Sequence, residues 1–251
     1  TVTDNNGCTS ATSVTVTQPA ALSASSSAGT VSCNGGTTTV TVSATGGTTP
    51  YSGTGSFTVG AGSYNYTVTD ANGCTASTSV TVTQPSLLTA SSSAGTISCN
   101  GGSTTATVSA TGGTTPYSGT GSYTVGAGIH NYTVTDANGC TSSTSVTVTQ
   151  PSSLSTSSSA GTISCNGGST TVTVSATGGT APYSGTGSFT KVAGTYNYTV
   201  TDANGCTSAT SITVTQPSLL SASSSAGTIS CNGGNTTVTV SATGGTAPYT
   251  G

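Results

Sequence analysis

The sequence predicts an all-β chain, a tandem array of small antiparallel β-sandwiches. Three observations lead there. The segment D-[NA]-N-G-C opens at Asp4, Asp70, Asp136 and Asp202, a fixed period of 66 residues. Apolar residues alternate with Thr or Ser, as do Ala106 and Val108 in S-T-T-A-T-V-S, Tyr132 and Val134 in N-Y-T-V-T, and Val80 and Val82 in S-V-T-V-T. Period two marks half-buried strands. Helical periodicity is found nowhere in the sequence, and no run approaches the roughly 18 apolar residues of a membrane helix.

Other punctuation keeps the same frame. Gln-Pro recurs at Pro19, Pro85, Pro151 and Pro217, and Pro-Tyr at Tyr51, Tyr117, Tyr183 and Tyr249. The expected organisation is the C-terminal part of a repeat at 1–18, full repeats at 19–84, 85–150 and 151–216, and the N-terminal part of a repeat at 217–251. With neither end on a repeat boundary, the segment reads as cut from something longer. Within 85–150, turn signals at Asn100-Gly101-Gly102, Gly112-Gly113, Gly126-Ala127-Gly128 and Asn138-Gly139 separate the strands, the last as in a tight hairpin. Six or seven short strands per repeat suit a compressed immunoglobulin-like sandwich, repeated into an elongated rod. Gln-Pro cannot continue a ladder and reads as the junction.

Composition excludes whole classes of function. One cation (Lys191), four Asp, one His and a formal net charge of −3 cannot supply the basic surface that nucleic acid requires. A solitary Asp every 66 residues, with no second carboxylate or His beside it, leaves no acid/base pair, so no enzyme and no cofactor are expected. Only 31% of residues are apolar, yet charge is 2% and Thr, Val and Ser abound. That balance favours extended β-structure over a solvated coil.

The order P-Y, a Gly-spaced strand, Y-T-V-T-D-A-N-G-C-T and V-T-V-T-Q-P resembles the SprB-type repeat of large surface adhesins in gliding Bacteroidetes. Pro116-Tyr117, Asp136 to Cys140 and Gln150-Pro151 fall in that family's order and spacing. The aromatic-x-Trp strand that often follows Pro-Tyr in the family is replaced by Tyr117-Ser118-Gly119-Thr120-Gly121. The resemblance implies an exported, surface-attached, rod-like protein, in many members moved by gliding machinery or carried out by type IX secretion.

Eight Cys lie at 8, 33, 74, 99, 140, 165, 206 and 231. No C-x-x-C or Cys/His cluster suggests zinc. Two Cys per repeat suggest structural disulfides and a location outside the reducing cytosol. Pairing depends on strand parity. The favoured pairing lies within each repeat, Cys33 to Cys74, Cys99 to Cys140 and Cys165 to Cys206, with Cys8 and Cys231 finding partners beyond the segment. It would close 41-residue loops, each contributing roughly 3 to 4 kcal/mol on a chain-entropy basis. Pairing across the junction, such as Cys74 to Cys99, is open as well. An odd number of strands would instead let Cys33 of one repeat meet Cys140 of the next.

Asp70, Asp136 and Asp202 are weak calcium candidates, because one carboxylate per repeat falls short of a calcium shell and suits an Asp bonding its own turn. His130 and Lys191 replace Tyr and Val at tolerant positions. Tyr51, Tyr66, Phe57 and their counterparts are expected in the core. Asn65, Asn131, Asn197 and Asn235 begin N-x-[ST] motifs, expected to be empty in a bacterium. Together these readings describe the shaft of an extracellular cell-surface filament or adhesin, giving reach, rigidity and protease resistance. Its expected partners are neighbouring repeats and homotypic lateral or end-to-end contacts. The alternative is a repeated module that binds glycans or surfaces by avidity.

Overall fold

A computed structural model describes residues 1–250. All regular elements among them are strands. A two-residue hairpin, β1 (Val2–Thr3) and β2 (Thr9–Ser10), precedes the first full repeat. That repeat contains β3 (Ser23–Ala28), β4 (Thr38–Thr45), β5 (Gly55–Val59), β6 (Gly62–Thr69) and β7 (Thr75–Val82). The second contains β8 (Thr89–Ala94), β9 (Thr104–Thr111), β10 (Gly121–Val125), β11 (Gly128–Thr135) and β12 (Thr141–Val148). The third contains β13 (Ser155–Ala160), β14 (Thr170–Thr177), β15 (Gly187–Lys191), β16 (Gly194–Thr201) and β17 (Thr207–Val214), followed by β18 (Ser221–Ala226) and β19 (Val238–Thr243). The chain forms two compact units, one of 1–92, 108–121 and 131–145, the other of 93–107, 122–130 and 146–251.

Each repeat carries five strands rather than the expected six or seven. In the first, β3-β4-β5 form one antiparallel sheet and β6-β7 the other. The Pro-Tyr segment is mostly loop. Its only ladder contact is Ser52 opposite Thr69, with both amides donating to the partner's carbonyl at 2.8 and 3.0 Å. Glycines explain the shortfall. Gly46, Gly47 and Gly53 have φ of 74°, 59° and 83°, which turn the backbone out of any extended run.

Along one flank, β3 and β7 lie side by side without a backbone ladder. Side-chain hydroxyls join them: Ser26 Oγ lies 2.9 Å from Thr78 Oγ1, and the bond recurs at Ser92–Thr144 (2.9 Å) and Ser158–Thr210 (3.0 Å). In the second repeat the Ala90 amide donates to Ser142 Oγ at 3.1 Å, the same offset two residues earlier, so the two strands run parallel there.

The centre of each repeat is valine. Val31, Val40, Val42, Val68 and Val82 form the first core, with Tyr51, Phe57, Tyr64 and Tyr66 packed around it, half-buried. Phe57 and Tyr66 pack in a tilted contact, 4.8 Å between ring centroids and 31° between ring planes. The aromatic rings therefore wall the core and the β-branched residues fill it. Outward positions are Ser or Thr across whole faces, as at Ser23–Thr45, Ser25–Ser43 and Ser27–Thr41 on β3 and β4. Alternation along the sequence is thus the alternation between a valine interior and a hydroxyl exterior.

Candidate functional site: the joint between repeats

Five strands are an odd number, so a repeat is entered at one end and left at the other. At its exit end lie the loop between β3 and β4, which holds Cys33, and the end of β7. At its entry end lie the loop after β4 and the β6–β7 turn, which holds Cys74. Cys33 and Cys74 therefore sit at opposite ends of their repeat, and pairing within a repeat is ruled out by geometry.

The bonds formed are Cys33–Cys140 and Cys99–Cys206, each spanning 107 residues with a Cα separation of 5.7 Å. This corrects the favoured pairing of Cys33 with Cys74, Cys99 with Cys140 and Cys165 with Cys206. Pairing across the junction, as in Cys74 with Cys99, is not formed either. Cys8, Cys74, Cys165 and Cys231 are free and exposed. Each bond straps the exit loop of one repeat to the entry turn of the next.

Two sets of hydrogen bonds surround the strap. From the turn, Asn138 Nδ2 donates to the Ser32 carbonyl and to Thr114 Oγ1, both at 3.0 Å, and Asn204 repeats this with Ser98 and Thr180. From the loop, Asn34 Nδ2 donates to the Pro85 carbonyl at 3.0 Å while the Gly35 amide donates to Gln84 Oε1 at 2.7 Å. The same clasp recurs at Asn100 with Pro151 and at Asn166 with Pro217. Gln-Pro, which follows the last strand of each repeat, is held by the N-G-G loop. That partner went unread from sequence; its only signal is that both motifs recur with one period.

The entry turn is built around its Asp. Asp136 Oδ1 accepts the Asn138 and Cys140 amides at 2.9 Å, and Oδ2 accepts the Thr114 amide at 2.9 Å. Asp70 and Asp202 do the same with Asn72, Cys74 and Thr48, and with Asn204, Cys206 and Thr180. The turn closes as a three-residue hairpin loop, with the Gly139 amide donating to the Asp136 carbonyl at 3.1 Å and Gly139 at φ 83°. The carboxylate oxygens of the calcium candidates are thus committed to backbone donors. The Thr48 amide foremost holds the Asp70 carboxyl below its ordinary pKa against the upward push of burial. For Asp136 and Asp202 burial is the largest influence and pushes upward, but the amides of Thr114, Cys140, Asn138 and Gly139, and of Thr180, Cys206, Asn204 and Gly205, together outweigh it. The ionised turn is what positions Cys140 and Cys206.

The remaining singled-out residues lie away from the joint. His130 Nε2 reaches the Gly126 carbonyl at 3.0 Å, replacing the bonds of Tyr64 to Gly60 and of Tyr196 to Val192. Lys191 Nζ lies 4.8 Å from the Tyr196 ring centroid, a cation–π contact. Asn65, Asn131, Asn197 and Asn235 are exposed.

No family model matches the chain, and no curated protein matches it significantly. Among solved structures, the chain shows similarity to the crystal structure of Down Syndrome Cell Adhesion Molecule isoform 1.30.30, N-terminal eight Ig domains, at 10% identity and a TM-score of 0.30. The match covers 90% of this chain and 52% of that one, so the chain spans about half its length. So loose a likeness transfers neither mechanism nor function.

Proposed function

We propose that this chain is a structural shaft of an extracellular cell-surface filament or adhesin, non-enzymatic, whose work is reach and resistance to force and proteolysis. The observation that carries the reading is the repeated joint: the same disulfide, the same Asn bond and the same Gln-Pro clasp recur with a 66-residue period. Disulfides at both joints between full repeats support an oxidising location. Stability in such an array comes from each repeat plus its neighbour contact, so extension by duplication is easy. The SprB-type resemblance supports a surface adhesin of the Bacteroidetes, with gliding motility as one setting.

The uncharged hydroxyl faces favour a second reading, in which the repeats bind glycans or surfaces by avidity. Chains with one, two and three repeats on a glycan array separate the two. Silence across ligands supports the shaft, and binding that rises with repeat number overturns it in favour of the module. Antibody labelling of intact, unpermeabilised cells tests the location.

A further inference from the structure

Each disulfide is flanked by two Asn-Gly steps, Asn34-Gly35 with Asn138-Gly139 and Asn100-Gly101 with Asn204-Gly205. Asn-Gly is the sequence in which a side-chain amide is lost most readily, because a glycine nitrogen, unhindered by a side chain, can attack the Asn Cγ and close a succinimide. Asn65, Asn131 and Asn197 precede Tyr, whose side chain obstructs the same attack. All four joint asparagines are exposed, so water and base reach them. Hydrogen bonds are what hold the reacting groups apart. Asn138 Nδ2 is committed to the Ser32 carbonyl and Thr114 Oγ1, both at 3.0 Å, and the Gly139 amide donates to the Asp136 carbonyl at 3.1 Å. Asn204 is tied to Ser98 and Thr180 in the same way, and Gly205 to Asp202. Ser32 and Ser98 immediately precede Cys33 and Cys99, and Gly139 and Gly205 immediately precede Cys140 and Cys206. The disulfide therefore pins both sides of this arrangement.

We propose that Asn138 and Asn204 are deamidation sites gated by the disulfide beside them: each is protected while the bond is closed, reacts once it is reduced, and thereafter disfavours closure. A thiol such as glutathione opens the gate, giving two electrons and two protons and leaving as its own disulfide. The Gly139 nitrogen then gives its proton to solvent base and bonds to Asn138 Cγ, and Nδ2 leaves as ammonia. Water opens the succinimide at either carbonyl, to aspartate or isoaspartate, so the net change is one water taken up and one ammonia released. Either product replaces the donor facing the Ser32 carbonyl with an acceptor and sets a second carboxylate beside that of Asp136, whose Oδ1 holds the Asn138 and Cys140 amides. Isoaspartate also lengthens the backbone of the turn by one atom. Each change spoils the geometry that presents Cys140 to Cys33.

The test keeps the 251-residue chain oxidised, or reduced with excess thiol, in warm, mildly alkaline buffer and follows amide loss at each Asn by peptide mass spectrometry. A free peptide of residues 133–143 with its cysteine alkylated is the unprotected standard. In the oxidised chain Asn138 and Asn204 should react at least about tenfold more slowly than the peptide, and reduction should bring them towards its rate. Asn34 and Asn100, whose side chains hold Pro85 and Pro151 rather than a group across the strap, should lag behind them. In a glutathione redox buffer, Asn138→Asp should disfavour closure of Cys33–Cys140 at least about tenfold, with Cys99–Cys206 of the same chain as the reference that reports intact folding. Four results would each overturn the proposal: an oxidised chain that reacts as fast as the peptide, protection that survives reduction, Asn34 reacting as fast as Asn138 once reduced, or closure in Asn138→Asp as complete as that of Cys99–Cys206.

Discussion

The overlapping straps set how far the chain can be stretched, and one substitution tests them. Force applied to the ends of the oxidised chain runs to Cys33, crosses to Cys140, returns to Cys99, crosses to Cys206 and continues to the C-terminus. That path holds about 120 residues, or ~420 Å at ~3.5 Å per residue. With both bonds reduced, all 251 residues bear load, and the limit rises to ~880 Å. Cys33→Ser leaves only Cys99–Cys206 and should extend to ~510 Å. The decisive variant is Cys74→Ser. Cys74 is free, so its loss should leave the limit at ~420 Å. Were Cys74 bonded to Cys33, removing it would release 41 residues, about 140 Å. Single-molecule force spectroscopy without reductant reads these lengths, and a lengthening of that size in Cys74→Ser would refute the joint.

Four further outcomes are expected. The Asp carboxyls are held below their ordinary pKa in the folded state, so their stabilisation is complete above about pH 4, the unfolded value. It is lost as pH falls through the lowered folded value; the melting temperature should drop there, and an Asp70→Asn/Asp136→Asn/Asp202→Asn chain should show a flatter acid limb by circular dichroism. Gly113→Ala should cost about 2 kcal/mol or more by denaturant unfolding, because φ is 58° and the new Cβ would lie 2.6 Å from Asp136 Oδ2; an unchanged midpoint would contradict the turn geometry. Val172→Ala, at a fully buried position, should cost about 2 kcal/mol in the same assay. Tyr198→Phe removes a buried hydroxyl that has no hydrogen-bond partner and should be neutral or stabilising by up to about 1 kcal/mol.

The period, the strands and the Asp turn are legible in the sequence because each is local. Alternation shows which side of a strand is buried, and D-A-N-G-C contains both the carboxylate and two of the amides it binds. Disulfide pairing is not local. It depends on whether the number of strands is odd, and between Gly46 and Gly55 a few positive φ values leave a loop with one bridge. The centre of the core was misjudged for a related reason: Tyr and Phe hold the largest apolar surfaces, yet the space between two short, closely spaced sheets admits valine and leaves the rings at its margins. The seam between β3 and β7 left no trace in the pattern, since Ser and Thr there look like any outward-facing hydroxyl.

Because the two long bonds overlap, the chain is redundant against cutting. A break in the backbone at any point between Cys33 and Cys206 leaves its two fragments joined by at least one disulfide. Between Cys99 and Cys140 they are joined by both. The sole trypsin site, after Lys191, falls inside this protected span. Trypsin should therefore release no piece from the oxidised chain and two pieces once it is reduced. Bonds confined to single repeats would leave every junction a point of severance, whereas here continuity outlasts the integrity of the polypeptide.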